Sequence, residues 1–117
     1  MPANTAEMAR AFTQAWSSGD IETAASYLAD DVTFDGPVNH TQGKQDYLAG
    51  LGAFARRASD LNILAALGDD DQAMILYELS TGPLRATYAE RLTFHEGKIH
   101  ADRLIFDSYP MRQGQPS

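Results

Sequence analysis

Four side chains that can transfer protons or donate hydrogen bonds are spaced so that two neighbouring strands would bring them together. Tyr88 and Glu90 are two residues apart in one segment, and His100 and Asp102 are two residues apart in the next. Side chains two residues apart in a strand point to the same face of a sheet. If both segments are strands with a shared inner face, all four side chains converge on one wall.

The chemistry that such a wall would carry is proton transfer. Two carboxyl groups in an apolar pocket cannot both ionise at low cost, because desolvation and mutual repulsion raise their pKa values. One of them then holds a proton near neutral pH, and the pair contains both an acid and a base. We expect Asp102 to be the base and Glu90 the proton donor, with His100 or Tyr88 as a further hydrogen-bond donor.

The inward placement depends on the register of the last hairpin, which the turn at residues 95–97 sets. A three-residue loop with Gly97 in the left-handed conformation places Glu90 directly opposite Asp102 on the inner face. A two-residue turn shifts the register by one residue, places Glu90 opposite Arg103 and leaves an outward salt bridge. The residues alone leave both registers open.

The same side chains offer only a weak metal signal. His100 and Asp102 on one strand face could be joined by Glu90 as a third ligand. No recognised metal motif and no glycine-rich phosphate loop accompanies them. We therefore expect neither a metal nor a cofactor.

Hydrophobic spacing and turn residues predict the elements that must position these groups. Asn4 and Asp20 are placed to cap two helices, Thr41 is placed to cap a third, and a strand is expected around residues 32–34. Four longer strands follow, separated by short turns typical of antiparallel hairpins, at about residues 61–67, 73–80, 84–94 and 98–106. This order predicts an α+β fold, one domain over residues 1–110, in which a curled antiparallel sheet wraps three N-terminal helices. We expect residues 111–117 to be a disordered tail.

A curled sheet encloses a cavity, and we expect that cavity to bind a substrate. Its predicted walls combine residues of the first helix with residues of the strands. The expected substrate-binding side chains are Phe12, Trp16, Phe34, Asp35, Leu92, Leu104 and Phe106.

Charge and composition exclude several other functions. Sixteen acidic and nine basic side chains give a formal net charge of −7, which disfavours nucleic acid and anionic membranes as partners. No apolar run approaches the roughly 20 residues that a membrane span needs. The first ten residues lack the pattern of a secretory signal, so we expect a cytoplasmic protein.

Several segments resemble the SnoaL-like branch of the nuclear transport factor 2-like superfamily. They are residues 15–20, 27–34, 36–37, 94–99 and 103–107. The resemblance implies a cone-shaped fold, homodimers packed through the sheet, and a deep pocket that relatives use as polyketide cyclases, ketosteroid isomerases, dehydratases or epoxide hydrolases. Other relatives only bind.

The resemblance also suggests roles for individual residues. Glu90 falls where ketosteroid isomerases carry the acid of the oxyanion hole, and Asp102 matches the acidic proton shuttle of SnoaL-like cyclases. The base position of the isomerases holds Gly36, with Asp35 adjacent, and their first-helix tyrosine aligns with Phe12. The acid that limonene epoxide hydrolases carry on the last strand corresponds to Leu104.

Together these observations predict a cofactor-free acid–base enzyme of the isomerase, cyclase or hydratase/hydrolase type. Its expected substrate is a small apolar carbonyl or polyketide-like molecule, and we expect the chain to form a homodimer. The alternative is a non-catalytic binding or dimerisation domain for a small hydrophobic ligand.

Overall fold

The computed structural model describes residues 4–110, which form three helices and one six-stranded sheet. The predicted α+β class is confirmed, while the tail predicted at residues 111–117 lies outside the described residues. The elements in chain order are α1 (Thr5–Ser17), α2 (Ile21–Ala25), β1 (Leu28–Asp35), β2 (His40–Gln42), α3 (Lys44–Ala55), β3 (Ala58–Gly68), β4 (Gln72–Thr81), β5 (Leu84–His95) and β6 (Lys98–Phe106).

The first two helices begin where the sequence predicts. The Asn4 side chain accepts hydrogen bonds from the backbone N–H groups of Ala6 and Glu7, at 2.9 and 3.4 Å, and the Asp20 side chain accepts one from Thr23 at 3.1 Å. These bonds satisfy N–H groups that have no partner inside a helix. The buried face of α1, which includes Phe12 and Trp16, then packs against β3 and β4.

The sheet is mixed rather than purely antiparallel, which corrects the sequence prediction. Strands β3 to β6 form the predicted antiparallel meander, but β1 lies beside β6 in parallel. The strand order is β2-β1-β6-β5-β4-β3, so the sheet remains open, with β2 and β3 as its edges. No hairpin joins β1 to β6, so their pairing has no local sequence signal.

The start of α3 also differs from the prediction. Thr41 does not cap this helix, because it lies in the short strand β2 and pairs with Phe34. The helix begins at Lys44, after Gly43, whose φ of 92° lies in the left-handed region. Glycine adopts this conformation without a steric penalty, so the chain can turn here from an edge strand directly into a helix.

The turn between β5 and β6 has two residues, so of the two turns that the sequence left open the three-residue loop is wrong. His95 pairs with Lys98, and both central residues have positive φ, 53° at Glu96 and 77° at Gly97. Two successive residues in this conformation form the turn that best matches the twist of a hairpin. With regular pairing throughout, this turn would send Glu90 and Asp102 to opposite faces of the sheet.

A β-bulge at His100 reverses that outcome. Phe94 pairs with Ile99, but Thr93 pairs with Ala101, so one extra residue is accommodated in β6. A bulge changes which residues face inward beyond it. Glu90 and Asp102 therefore share the inner face as predicted, although they are diagonal neighbours, with Glu90 opposite Leu104 and Leu92 opposite Asp102.

We expect Glu96→Asn to stabilise the protein by about 0.5–1 kcal/mol, because asparagine tolerates positive φ and Asn-Gly favours this turn. Thermal unfolding should show the midpoint rising by roughly 2–5 °C. Glu96→Ala is the matched control, since it removes the same charge without favouring positive φ. Equal midpoints for the two variants would contradict this explanation.

Candidate active site

The inner face of the sheet, helix α1 and helix α3 enclose a cavity of about 340 Å³. This volume lies at the small end of the range of roughly 300–1,000 Å³ that is typical of ligand pockets. Its buried and half-buried walls are mainly aromatic and aliphatic, and they also carry two carboxyl groups. Those walls include Trp16, Phe34, Tyr47, Leu51, Phe54, Tyr77, Glu90, Asp102, Leu104 and Phe106.

The two carboxyl groups come from neighbouring strands and are nearly inaccessible to solvent. Glu90 on β5 is 4% exposed and Asp102 on β6 is 2% exposed. Each accepts a hydrogen bond from a buried tyrosine. The Tyr47 hydroxyl donates to Oδ2 of Asp102 at 2.5 Å, and the Tyr77 hydroxyl donates to Oε1 of Glu90 at 3.1 Å.

Burial raises the pKa of both carboxyl groups, because neither ion can be well solvated in this wall. The pKa of Asp102 is raised well above its usual range by burial, then by the negative charge of Glu90 and by a hydrogen bond with Glu90. On Glu90, hydrogen bonds from Asp102 and Tyr77 lower the pKa and so oppose part of the increase that burial causes. Both shifts favour one proton held between the two carboxyl groups, and the neighbouring charge of Glu90 adds to the increase at Asp102.

The hydrogen bonds of Asp102 agree with a shared proton. Among residues 4–110, no group donates a hydrogen bond to its buried Oδ1. A carboxyl group can hydrogen-bond to another carboxyl group only if one of them is protonated. One proton between the two carboxyl groups therefore satisfies both of them, and its assignment to Asp102 in the reaction proposed below is opposite to the role expected from the sequence.

Tyr47 and Tyr77 are site residues that the sequence did not predict as such. Burial, followed by the charges of the two acids, raises the pKa of each tyrosine well above its usual value, so both remain hydrogen-bond donors. A buried tyrosine hydroxyl usually has a polar partner. That requirement was the available signal, but it does not identify the partner, which for Tyr47 lies 55 residues away.

Four of the seven expected substrate-binding residues line the cavity: Trp16, Phe34, Leu104 and Phe106. Phe12 and Leu92 are fully buried in the core and are not part of the cavity wall. Asp35 is exposed and also outside the wall, with its Oδ2 atom 3.8 Å from an Arg103 guanidinium nitrogen.

Tyr88 and His100 are not in the cavity wall either. Tyr88 is on the inner face as expected, but its ring stacks on Tyr77, with centroids 5.4 Å apart, and packs against Phe106. His100 is the residue at the bulge, which turns it away from the cavity. Its Nδ1 atom lies 3.3 Å from a carboxylate oxygen of Asp31, so the expected inward placement of His100 is wrong.

Within residues 4–110, His, Asp and Glu side chains form no cluster of three or more that could hold a metal ion. None of the helices in this part of the chain is long and apolar enough to cross a membrane.

The fold belongs to a known class of α+β domains. Residues 9–101 match the model of the SnoaL-like domain, so the chain belongs to this family and the predicted resemblance is confirmed. A comparison with curated proteins finds no match.

Solved structures show the same fold. A crystal structure from Kribbella flavida DSM 17836, described only as a protein of known function, is 32% identical, with a TM-score of 0.89 over 94% of this chain and 92% of that one. Another from that organism, provisionally assigned as a ketosteroid isomerase, is 21% identical, with a TM-score of 0.81 over 97% and 82%. An M. tuberculosis LEH-like epoxide hydrolase is 22% identical, with a TM-score of 0.75 over 94% and 87%.

Proposed function

We propose that this protein is a cofactor-free acid–base enzyme that moves protons on a small, largely apolar carbonyl or polyketide-like molecule. The observation that carries the proposal is the buried pair of Glu90 and Asp102 in the wall of an apolar cavity, where burial raises the pKa of both carboxyl groups. Solved structures described as a provisionally assigned ketosteroid isomerase and an LEH-like epoxide hydrolase share the fold, which supports an enzyme of this general kind.

The proposed reaction assigns a role to each polar group. The Glu90 carboxylate removes a proton from the carbon next to the substrate carbonyl, and the Asp102 acid gives its proton to the carbonyl oxygen as negative charge develops there. The product of this half-reaction is an enol, with Glu90 protonated and Asp102 ionised. Return of a proton to another carbon completes an isomerisation, and attack of the enol on a second carbonyl completes a cyclisation.

The tyrosines and the apolar walls support this chemistry without taking part in the transfer. Tyr47 and Tyr77 each hold one carboxyl group in place through a hydrogen bond. The aromatic walls exclude water from the site, which strengthens the electrostatic interactions inside it. A pair of carboxyl groups that takes one proton from the substrate and gives another to it is consistent with isomerisation, cyclisation or hydration.

The direct test is exchange of carbon-bound hydrogen for deuterium. Phenylacetone, benzylacetone and β-tetralone would be incubated with the protein in deuterium oxide, and loss of the α-proton signals would be followed by NMR. We expect exchange that is faster than in buffer and saturates with ketone. Saturable binding without exchange for every ketone would contradict the enzyme and favour the alternative, a binding domain.

We further propose that two copies of the chain pack through the outer face of the sheet. Five of the seven exposed large hydrophobic side chains in residues 4–110 lie on β3, β4 and β6. Ala65, Leu76, Ala89 and Ile105 are successive cross-strand partners and form an apolar row across four strands. A continuous apolar patch on a sheet suits a symmetric, self-complementary contact.

We expect the wild-type protein to elute as a dimer and Leu76→Lys as a monomer in size-exclusion chromatography with light scattering. A lysine in the middle of the apolar row would bring two like charges together in the symmetric contact. Gln45→Lys on α3 adds the same charge outside the sheet and should remain dimeric. A monomeric wild type, or a dimeric Leu76→Lys variant, would rule out this interface.

A further inference from the structure

The opening of the cavity differs chemically from its interior. We define the rim as the cavity-lining residues that are exposed to solvent. They come from the β1–β2 connection and from the second half of α3 and the turn that follows it: Pro37, Val38, Asn39, Gly50, Ala53 and Arg57. The only polar side chains in the rim are Arg57 and Asn39, both of which can donate hydrogen bonds. No acid lies in the rim, although the protein has 16 acidic residues.

Arg57 is held at this opening by the backbone. It lies two residues after the end of α3, and its N–H group donates to the carbonyl oxygen of Phe54 at 3.0 Å. Among the described residues its guanidinium takes part in no ion pair, whereas Arg85 and Arg103 each have an acidic partner. The guanidinium is always charged, and its geometry matches that of a carboxylate, so it is available to bind an anion beside the cavity.

The buried end of the cavity has negative charge, opposite in sign to that of Arg57 at the rim. Glu90 and Asp102 together carry about one negative charge when they share one proton, and they are almost inaccessible to solvent. A ligand carboxylate would be repelled and desolvated at that end. It would be attracted and remain hydrated at the rim, and the walls between the two ends are apolar.

From this charge separation we propose that the substrate is an apolar carbonyl compound that also carries a carboxylate, which Arg57 binds at the rim. This rests on the proposed function, in that the carbonyl end reaches Glu90 and Asp102. Arg57 is then a specificity-determining residue that orients the molecule. A positive charge that only stabilised the end of α3 would serve that purpose equally well at Arg56, which is not part of the cavity wall.

The test compares an acid with its neutral amide, because these probes have the same apolar body. Binding of phenylbutyrate and of phenylbutyramide would be measured by calorimetry at pH 7 and low ionic strength. For an exposed charge pair we expect the acid to bind up to about five-fold more tightly. Arg57→Gln should remove this preference, and Arg56→Gln, which changes the net charge equally, should retain it.

Three results would overturn the proposal: equal affinities for acid and amide in the wild type, a preference that survives in Arg57→Gln, or no binding of either probe. The Asp102→Asn variant separates this proposal from the proposed function. If that variant keeps the acid preference but loses ketone exchange, both proposals stand. If the preference is present while exchange never depends on Asp102, the rim site stands and the proposed reaction fails.

Discussion

Asp102→Asn and Glu90→Gln should each lower the rate of ketone hydrogen exchange by about 10²- to 10⁴-fold, the usual contribution of a positioned acid or base. Glutamine at position 90 cannot accept the carbon-bound proton. Asparagine at position 102 can still donate a hydrogen bond from its amide but has no proton to give up. Both replacements keep the size of the side chain, so the loss should appear in kcat rather than in folding.

The control for these variants is Glu78→Gln, which removes a half-buried acid that pairs with Arg85 outside the cavity. Its exchange rate should match that of the wild type. Circular dichroism and thermal unfolding would show that all three variants are folded. If either Glu90→Gln or Asp102→Asn retains full activity, the two acids are not the catalytic pair.

The contribution of the same buried acids to the stability of the protein should fall as the pH rises above about 4. In the unfolded chain Asp102 loses its proton near its usual pKa of about 3.9, whereas in the folded protein burial keeps the proton bound to a higher pH. Between these two values the folded state binds more protons, so raising the pH lowers the free energy of unfolding. Each pH unit between the two pKa values lowers the free energy of unfolding by about 1.4 kcal/mol.

Asp102→Asn should flatten this dependence, because asparagine does not titrate and its amide can donate to the Glu90 carboxylate. Urea unfolding from pH 4.5 to 7.5 would measure the free energy of unfolding of both proteins. Exposed acids contribute equally to both curves, so the difference between the curves reports position 102. A difference that does not change with pH would mean that Asp102 ionises as readily in the folded protein as in the unfolded one.

The shared face of Glu90 and Asp102 was one of two outcomes that the sequence left open, and the structure reaches it by a different register from the one argued. Alternation along β5 correctly placed Tyr88, Glu90 and Leu92 on one side, because strand periodicity is a local property. The three-residue turn on which the inward placement was argued is one residue too long, and the bulge at His100 was not predicted. Each difference shifts the pairing by one residue, so together they leave both acids on the inner face. Asn-Gly or Asp-Gly would have signalled a two-residue turn, whereas glutamate at position 96 does not.

The features that could not be predicted from the sequence depend on contacts between distant parts of the chain. The short strand β2 exists because residues 40–42 pair with β1, which no capping pattern at Thr41 reveals. Tyr47 had the spacing of an apolar helix face, and only the assembled fold brings its hydroxyl to Asp102. Local periodicity thus predicted the three helices, most of the strands and part of the cavity wall, while the hydrogen-bond partners required the three-dimensional arrangement.

The bulge at His100 also determines how this chain must be aligned with relatives of different length. A relative that lacks the extra residue would reach the same acid one position earlier, so a gap at His100 is needed before the two acids coincide. Losing His100 itself would leave Asp102 facing inward. Straightening the strand without shortening it would instead reverse every side chain beyond Ile99, and Asp102, Leu104 and Phe106 would leave the cavity together.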